Sequence, residues 1–162
     1  MKGFLSLLPL FFLLPSSFSQ QLSAAWEQKA SIAAPGRFWG FAMSIGDKGY
    51  AGTGRQGFSG NPTNDCWEYD PAFNTWTQKA DYPGGVREGC ASFSTGERGF
   101  VGFGTAFIQF TRTLYEFLPD SNKWVQQADH PGIGFAFSHG FTIEDTLYIG
   151  PENGTNKFYA YN

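Results

Sequence analysis

Few residues in this chain have the types and spacing to do chemistry. Arg37 and Arg87 stand 50 positions apart, and Glu88 follows the second. Two guanidiniums brought together could hold a carboxylate or a sulfate, because each planar fork donates to two oxygens at once. At the next recurrence, 48 residues further on, the position is Phe135, so the set is broken. The competing role for each arginine is structural, a pair with a carboxylate such as Glu68 or Glu116 that ties one unit of the chain to the next. His130, before Pro131, reads as a turn residue, and His139 as a packed strand residue. Neither recurs with the spacing that metal ligation needs, so no metal and no other cofactor is expected. Cys66 and Cys90 could form a disulfide in an oxidising compartment. Neither has a cysteine at the equivalent place elsewhere in the chain, which favours two buried free thiols. The run Gly52-Thr53-Gly54-Arg55-Gln56-Gly57 spells G-x-G-x-x-G. It leads into Phe58-Ser59-Gly60-Asn61-Pro62, a loop, and not into the helix N-terminus that a dinucleotide requires. Asn153-Gly154-Thr155 is a glycosylation sequon in a eukaryotic secretory route, whereas Asn61-Pro62-Thr63 is excluded by its proline.

What positions these residues is a repeat. Trp26-Glu27-Gln28-Lys29-Ala30 returns as Trp76-Thr77-Gln78-Lys79-Ala80 and again as Trp124-Val125-Gln126-Gln127-Ala128. Gly49-Tyr50-Ala51-Gly52 matches Gly99-Phe100-Val101-Gly102, with Leu147-Tyr148-Ile149-Gly150 following. A period of 48–50 residues marks a stacked array. Each unit reads as four short strands: Phe38 to Ile45, Gly49 to Thr53, Cys66 to Asp70 and Trp76 to Lys79 in the first. The turn Pro71-Ala72-Phe73-Asn74 joins the last two, since proline presets φ and asparagine tolerates positive φ. Four antiparallel strands, repeated, make a propeller blade. The fold class is therefore all-β, a partial propeller of about three blades with almost no helix. Trp76 and Trp124 are expected to be largely buried between neighbouring blades.

Composition agrees. Of 162 residues, 19% are aromatic and only 15% charged, with 21 glycines and a net charge of −3. Such a balance leaves no electrostatic footprint for nucleic acid or an anionic membrane. The first 19 residues stand apart. Lys2 precedes an apolar run from Phe4 to Leu14, and small residues Ser17 and Ser19 follow, the pattern of a secretory signal peptide cut after Ser19. The run is short for a bilayer span of about 20 residues, and no cysteine follows it to carry a lipid. The expected organisation is a signal peptide over 1–19 and an incomplete propeller domain over 20–162, secreted or periplasmic, with no membrane anchor in the mature chain.

These residues resemble the kelch family. Tyr69 with Trp76, and Phe117 with Trp124, have the spacing of its aromatic pair. Its adjacent glycines are replaced by Gly-x-Gly at Gly52/Gly54 and Gly102/Gly104, which is similar to the secreted bacterial galactose-oxidase-like members. The copper site that this name implies needs His and Tyr ligands, and two histidines without ligand spacing do not supply them. The resemblance implies ring closure, with the Trp26 strand completing a last blade, and on that reading the chain is a fragment of a longer protein. Two functions fit. One is a non-catalytic binding or scaffold module that recognises a protein or a glycan. The alternative is a sugar-active enzyme such as a periplasmic sialate mutarotase, for which the nearest groups are Arg37, Arg87 and Glu88, without an evident acid–base pair. Tight turns at Gly46-Asp47-Lys48, Gly96-Glu97-Arg98 and Pro71 to Thr75 occupy one side of the blades. Long loops (Arg55–Asn64, Thr105–Arg112, Pro151–Asn156) and the links Ser31–Gly36, Asp81–Val86 and Asp129–Gly134 occupy the other. Specificity usually resides on such loops, so the ligand is expected there, beside Arg37, Arg87, Phe107, Ile108 and Phe110.

Overall fold

The computed structural model describes residues 25–152 and 154–162. The signal-peptide reading of residues 1–19 and the sequon asparagine at 153 lie outside the described residues. The described chain is all strand and loop, with no helix. The first sheet is ordered β2 (Phe41–Ile45), β3 (Lys48–Gly52), β5 (Cys66–Asp70), β6 (Thr75–Lys79). The second is ordered β7 (Glu88–Ser94), β8 (Gly99–Ala106), β10 (Leu114–Leu118), β11 (Lys123–Gln126). The third holds β12 (Gly140–Ile143), β13 (Thr146–Ile149) and β14 (Tyr159–Tyr161). All neighbours are antiparallel, and each sheet is an up-and-down blade. Two short strands, β1 (Arg37–Phe38) and β4 (Arg55–Gln56), pair outside the first blade, and β9 (Gln109–Phe110) extends β8 as a hairpin.

The second and fourth strands of the first unit begin one residue earlier than expected, at Lys48 and Thr75, and two strands are cut short for one reason. The first strand was expected to run from Phe38 to Ile45, but Trp39 sits at φ 58° and divides it into β1 and β2. The second was expected to reach Thr53, but Thr53 sits at φ 51° and β3 ends at Gly52. A left-handed residue turns the chain out of the pleat. Apolar periodicity carries no signal for such a break when the residue is itself aromatic or β-branched.

A blade cannot bury both faces alone, so the core lies between blades. Phe41, Ile45, Tyr50 and Cys66 of the first blade meet Tyr82, Val101 and Phe117. Phe93, Phe100, Phe103 and Leu114 of the second meet Phe135, Leu147 and Ile149. The middle blade is therefore covered on both faces. Its second strand, β8, is buried at seven consecutive positions, whereas β3 alternates. The Gly-x-Gly pairs follow from crowding. Gly54 and Gly104 sit at φ 87° and 81° and donate to the carbonyls of Arg87 (2.7 Å) and Phe135 (2.9 Å), the residues that open the next unit. A Cβ on Gly54 would lie 2.5 Å from the Phe38 carbonyl oxygen, so only glycine fits that approach.

The aromatic of the fourth strand has a second duty. Trp76 Nε1 donates to the Ala30 carbonyl at 2.9 Å, and Asn74 Oδ1 accepts the Ala30 N–H at 2.9 Å. Trp124 and Asn122 grip Ala80 in the same way, at 2.9 and 2.8 Å. Asn74 and Asn122 reach this position through φ of 53° and 52°, which asparagine tolerates in a turn. Both indoles are half-buried, not largely buried as expected. Each must keep its N–H at the blade's outer rim to reach the preceding unit's alanine, so one edge stays in solvent. Trp124→Ala is expected to cost about 3 kcal/mol, the lower end for a large aromatic because the ring is half-exposed. Trp124→Phe, which loses only the N–H, should cost about 1 kcal/mol. Urea unfolding of the two variants reads the difference; equal losses would move the role from packing to the N–H.

Candidate functional site: the long-loop face

The long loops and inter-blade links gather at one end of the blades, as the β2–β3 and β5–β6 registers require. Arg37, Arg87 and Glu88 all lie at that end, but they do not converge on a ligand. Arg37 forms a bidentate pair with Asp65, Nη1 to Oδ1 at 2.5 Å and Nη2 to Oδ2 at 2.7 Å, and also donates to the Thr53 carbonyl. Arg87, 8% exposed, donates to the carbonyls of Gly84 and Phe103 and to the hydroxyls of Thr111 and Thr113. Glu88, 4% exposed, is held by Arg55 in a second bidentate pair, at 2.5 and 2.6 Å. Each charged group spends its hydrogen bonds on fixing a loop.

The carboxylates proposed for Arg37 and Arg87 are engaged elsewhere. Glu68 accepts the Tyr50 hydroxyl at 2.6 Å and pairs with Lys79 at 3.2 Å. Glu116 pairs with Arg98 at 2.8 Å and accepts from Gln127. The partner of Arg37 is inside its own blade, because Asp65 enters β5 opposite Thr53, beside the guanidinium. The tie between blades is instead Arg55 to Glu88. Asp65 is pushed up by burial, but hydrogen bonds from Arg37 and from Trp67 Nε1 (2.7 Å) more than reverse this and hold its carboxyl below the ordinary 3.8.

His130, Cys66 and Cys90 are packed inside the protein. His130 is buried in a turn, its ring edge-on to Tyr159 at 4.3 Å, and its Nδ1 accepts the Gly132 N–H. Burial lowers its pKa from 6.5. His139, expected as a packed strand residue, is exposed and precedes β12; the left-handed turn at Phe137 delays the strand. Cys66 and Cys90 are free thiols, and burial pushes them up to about 12 and about 11. Their strands belong to adjacent blades, and the Cys90 thiol faces the Phe103 carbonyl.

What does converge at this end is aromatic. Phe58, Phe38, Trp39 and Phe137 form one contiguous row, with ring centroids 4.7, 6.2 and 5.5 Å apart in that order. They are 83%, 40%, 49% and 49% exposed. Phe107 and Ile108 project from the β8–β9 hairpin of the same face, 64% and 89% exposed. The row has a backbone support that the sequence reading missed. Trp39, Gly89 and Phe137 occupy one repeat position, all with φ between 58° and 66°. Gly89 N–H donates to the Trp39 carbonyl (2.8 Å) and Phe137 N–H to the Gly89 carbonyl (2.9 Å). A ladder thus crosses the three blades and aims the flanking side chains out of the sheets. A signal was present, since the three residues share the 50- and 48-residue spacing, but they differ too much in type to register as a repeat anchor. Trp39, Phe137 and His139 border a cleft that reaches Cys90.

No family model matches the chain, and no curated protein matches it. Solved structures do match. One, described as the structure of YjhT, aligns at a TM-score of 0.70 and 18% identity, over 80% of this chain and 49% of that one. The chain spans about half the length of that structure. The likeness supports a kelch-like β-propeller fold and, at this identity, the fold alone.

The Asp65 pair has a signed pH consequence. Its folded pKa lies below 3.8, so the folded state binds fewer protons than the unfolded one in acid. The contribution is present above pH 3.8 and is lost as pH falls through the folded value. Asp65→Asn should cost about 3 kcal/mol at pH 7 by leaving Arg37 unpaired. It should also flatten the fall of stability below pH 4, read by denaturant titration at successive pH values.

Proposed function

We propose that the chain is a non-catalytic binding propeller whose ligand, a glycan ring or apolar groups of a protein, lies across the Phe58–Phe38–Trp39–Phe137 row. The observation that carries this reading is the contrast at the long-loop end. Every charged side chain singled out there is spent on internal hydrogen bonds, while the contiguous exposed surface is aromatic. A hydrolase or isomerase needs convergent acid–base groups free to move a proton at the substrate. A binding surface needs flat, rigid, partly exposed rings, which stack on the C–H face of a sugar or receive apolar side chains. The rings here are carried by loops that the left-handed ladder and two bidentate ion pairs hold in place, so little freedom is lost on binding.

Arg37 and Arg87 act in this reading as supports of the loops, and their reversal would be felt first in melting temperature. The second reading, a sugar-active enzyme of the sialate mutarotase kind, is separated by anomer exchange of candidate sugars followed by NMR.

The direct test is a binding titration against a panel of glycans and surface proteins, with Trp39→Ala as the variant. Loss of the ring should weaken binding at least tenfold, about 1.4 kcal/mol. Reversal of Asp47, Lys48 or Glu97, at the tight-turn end, should leave affinity within about twofold. Affinity that follows the tight-turn charges and ignores Trp39 would reverse the orientation of the binding face.

A further inference from the structure

Two rings of the long-loop face stand on strained backbone. Trp39 and Phe137 hold φ at 58° and 60°, and Gly89, the equivalent residue between them, holds 66°. The left-handed region is unfavourable for a bulky side chain and open to glycine. Gly89 makes the same ladder bonds, so the ladder alone does not call for an aromatic residue on either flank. Strain of this kind persists where the surrounding structure holds it, and it gathers at ligand clamps. The two rings meet nearly edge-on, at 77°. With Gly89, Ser138 and His139 they border a cleft of about 360 Å³. That volume lies near the small end of the range for small-molecule sites, about 300–1,000 Å³.

Polar groups beside the rings decide what the occupant must offer. Trp67, Trp76 and Trp124 give their indole N–H to the protein. The Trp39 N–H, the Ser138 hydroxyl and the His139 ring have no partner among the described residues. An apolar protein face laid over the cleft would strip water from these groups and return nothing, which is costly. A sugar ring brings an apolar C–H face for the indole and a rim of hydroxyls for the polar groups. Charge narrows the choice further. Arg37 is bound to Asp65, Arg55 to Glu88, and Arg87 to carbonyls and threonine hydroxyls. No lysine or arginine lines the cleft among the described residues. A carboxylate on the sugar would therefore give up its hydration without gaining an ion pair.

Beyond the cleft the row continues through Phe38 to Phe58. From Phe137 outward, successive ring planes are turned by 77°, 51° and 41°, so a flat ligand cannot lie on all four. A chain of saturated rings, which turns at each glycosidic linkage, can. We propose that the site takes a neutral oligosaccharide, its terminal ring in the cleft against Trp39 with hydroxyls on Ser138 and His139, and its following rings on Phe38 and Phe58. This assignment rests on the reading of the aromatic row as the binding face and names the ligand class of that face. Trp39, Ser138 and His139 anchor a ligand of any length. Phe58, 83% exposed at the far end of the row, acts only on a ligand long enough to reach it.

Titration calorimetry of the full chain tests this. The probes are cello-, malto-, xylo- and N-acetylchito-oligosaccharides of one to four rings, with oligogalacturonides of the same lengths as the anionic arm. At least one neutral series should bind, with affinity rising roughly three- to tenfold per added ring. Ser138→Ala and His139→Ala should each weaken every length roughly three- to tenfold. Phe58→Ala should cancel the gain of the longest member and leave the monosaccharide unchanged. The oligogalacturonides should bind roughly tenfold more weakly or worse. Melting temperatures of the variants check that the fold is intact. A protein ligand lost in Trp39→Ala, with no neutral sugar bound, would overturn the sugar assignment and leave the binding face standing. Sugar binding that ignores Trp39→Ala would overturn the face itself. Acidic oligosaccharides that bind as tightly as neutral ones, or the failure of every series to bind, would overturn the ligand class.

Discussion

The structure depends on the inability of a single four-stranded sheet to hide its two faces. The contacts between units hold the next blade at the angle and distance where Phe41, Tyr50 and Phe117, or Phe93, Phe100 and Leu147, can meet. Burial of side chains this large is worth about 1.5–3 kcal/mol each, but it is non-directional and would tolerate many stackings. Direction comes from hydrogen bonds to the neighbouring unit's backbone at three radii. At the axis, Ser92 and Ser94 donate to the Ala42 and Ser44 carbonyls of the preceding blade. At the loop end, Gly54 and Gly104 reach the first residue of the following unit. At the rim, Trp and Asn grip an alanine. The axial and rim contacts join residues about one period apart, and the glycine contacts tie each unit to the start of the next, which holds the period strict.

This arrangement also explains why one end of the molecule is free to vary. The tight turns are consumed by the geometry of the sheets: Ile45 pairs with Lys48 and Asp70 with Thr75, with no length to spare. At the other end the chain must leave one blade, cross to the next and return. There the left-handed residues Trp39, Gly89 and Phe137 set the crossing. The ladder through them is made by backbone atoms, while a Cβ on Gly89 would lie 2.7 Å from the Phe137 ring. A tryptophan, a glycine and a phenylalanine all make the ladder, and only Trp39 and Phe137 contribute to the exposed aromatic row.

The blade architecture was legible because its carriers repeat in type as well as in spacing. Trp76 and Trp124, Tyr69 and Phe117, and the two Gly-x-Gly pairs fixed strand number, strand order and the position of the turns. The site was less legible, and Arg37 shows why. Its type and spacing suggested an anion-binding ring, yet its partner, Asp65, has no counterpart in the second unit, where Thr113 stands. Ion pairing depends on the residue across the ladder, which spacing along the chain does not reveal. Trp39 and Phe137 failed the opposite way, since equivalence there lies in φ and not in residue type. Half-burial of the indoles was missed because a repeated tryptophan announces packing, whereas its N–H imposes a place at the rim.

The position shared by Arg37, Arg87 and Phe135 shows how a rigid repeat absorbs such differences. All three residues begin a unit. Arg87 and Phe135 accept, through the main chain, from the Gly-x-Gly of the unit before. The side-chain partner changes from Asp65 for Arg37 to Thr111 and Thr113 for Arg87. An arginine beside Asp65 is neutralised, and the pair is stable under partial burial. An arginine beside Thr113 has no carboxylate and is instead saturated by carbonyls and hydroxyls, with its guanidinium 5.7 Å from the Tyr82 ring. In the third unit the chain has Phe135, stacked on Phe103 at 4.5 Å and 12°. The backbone role is constant and the side chain is chosen by its neighbour. Charge at this end of the propeller therefore follows local neutralisation and not a shared ligand, and the aromatic surface is left as the feature that the fold does not require.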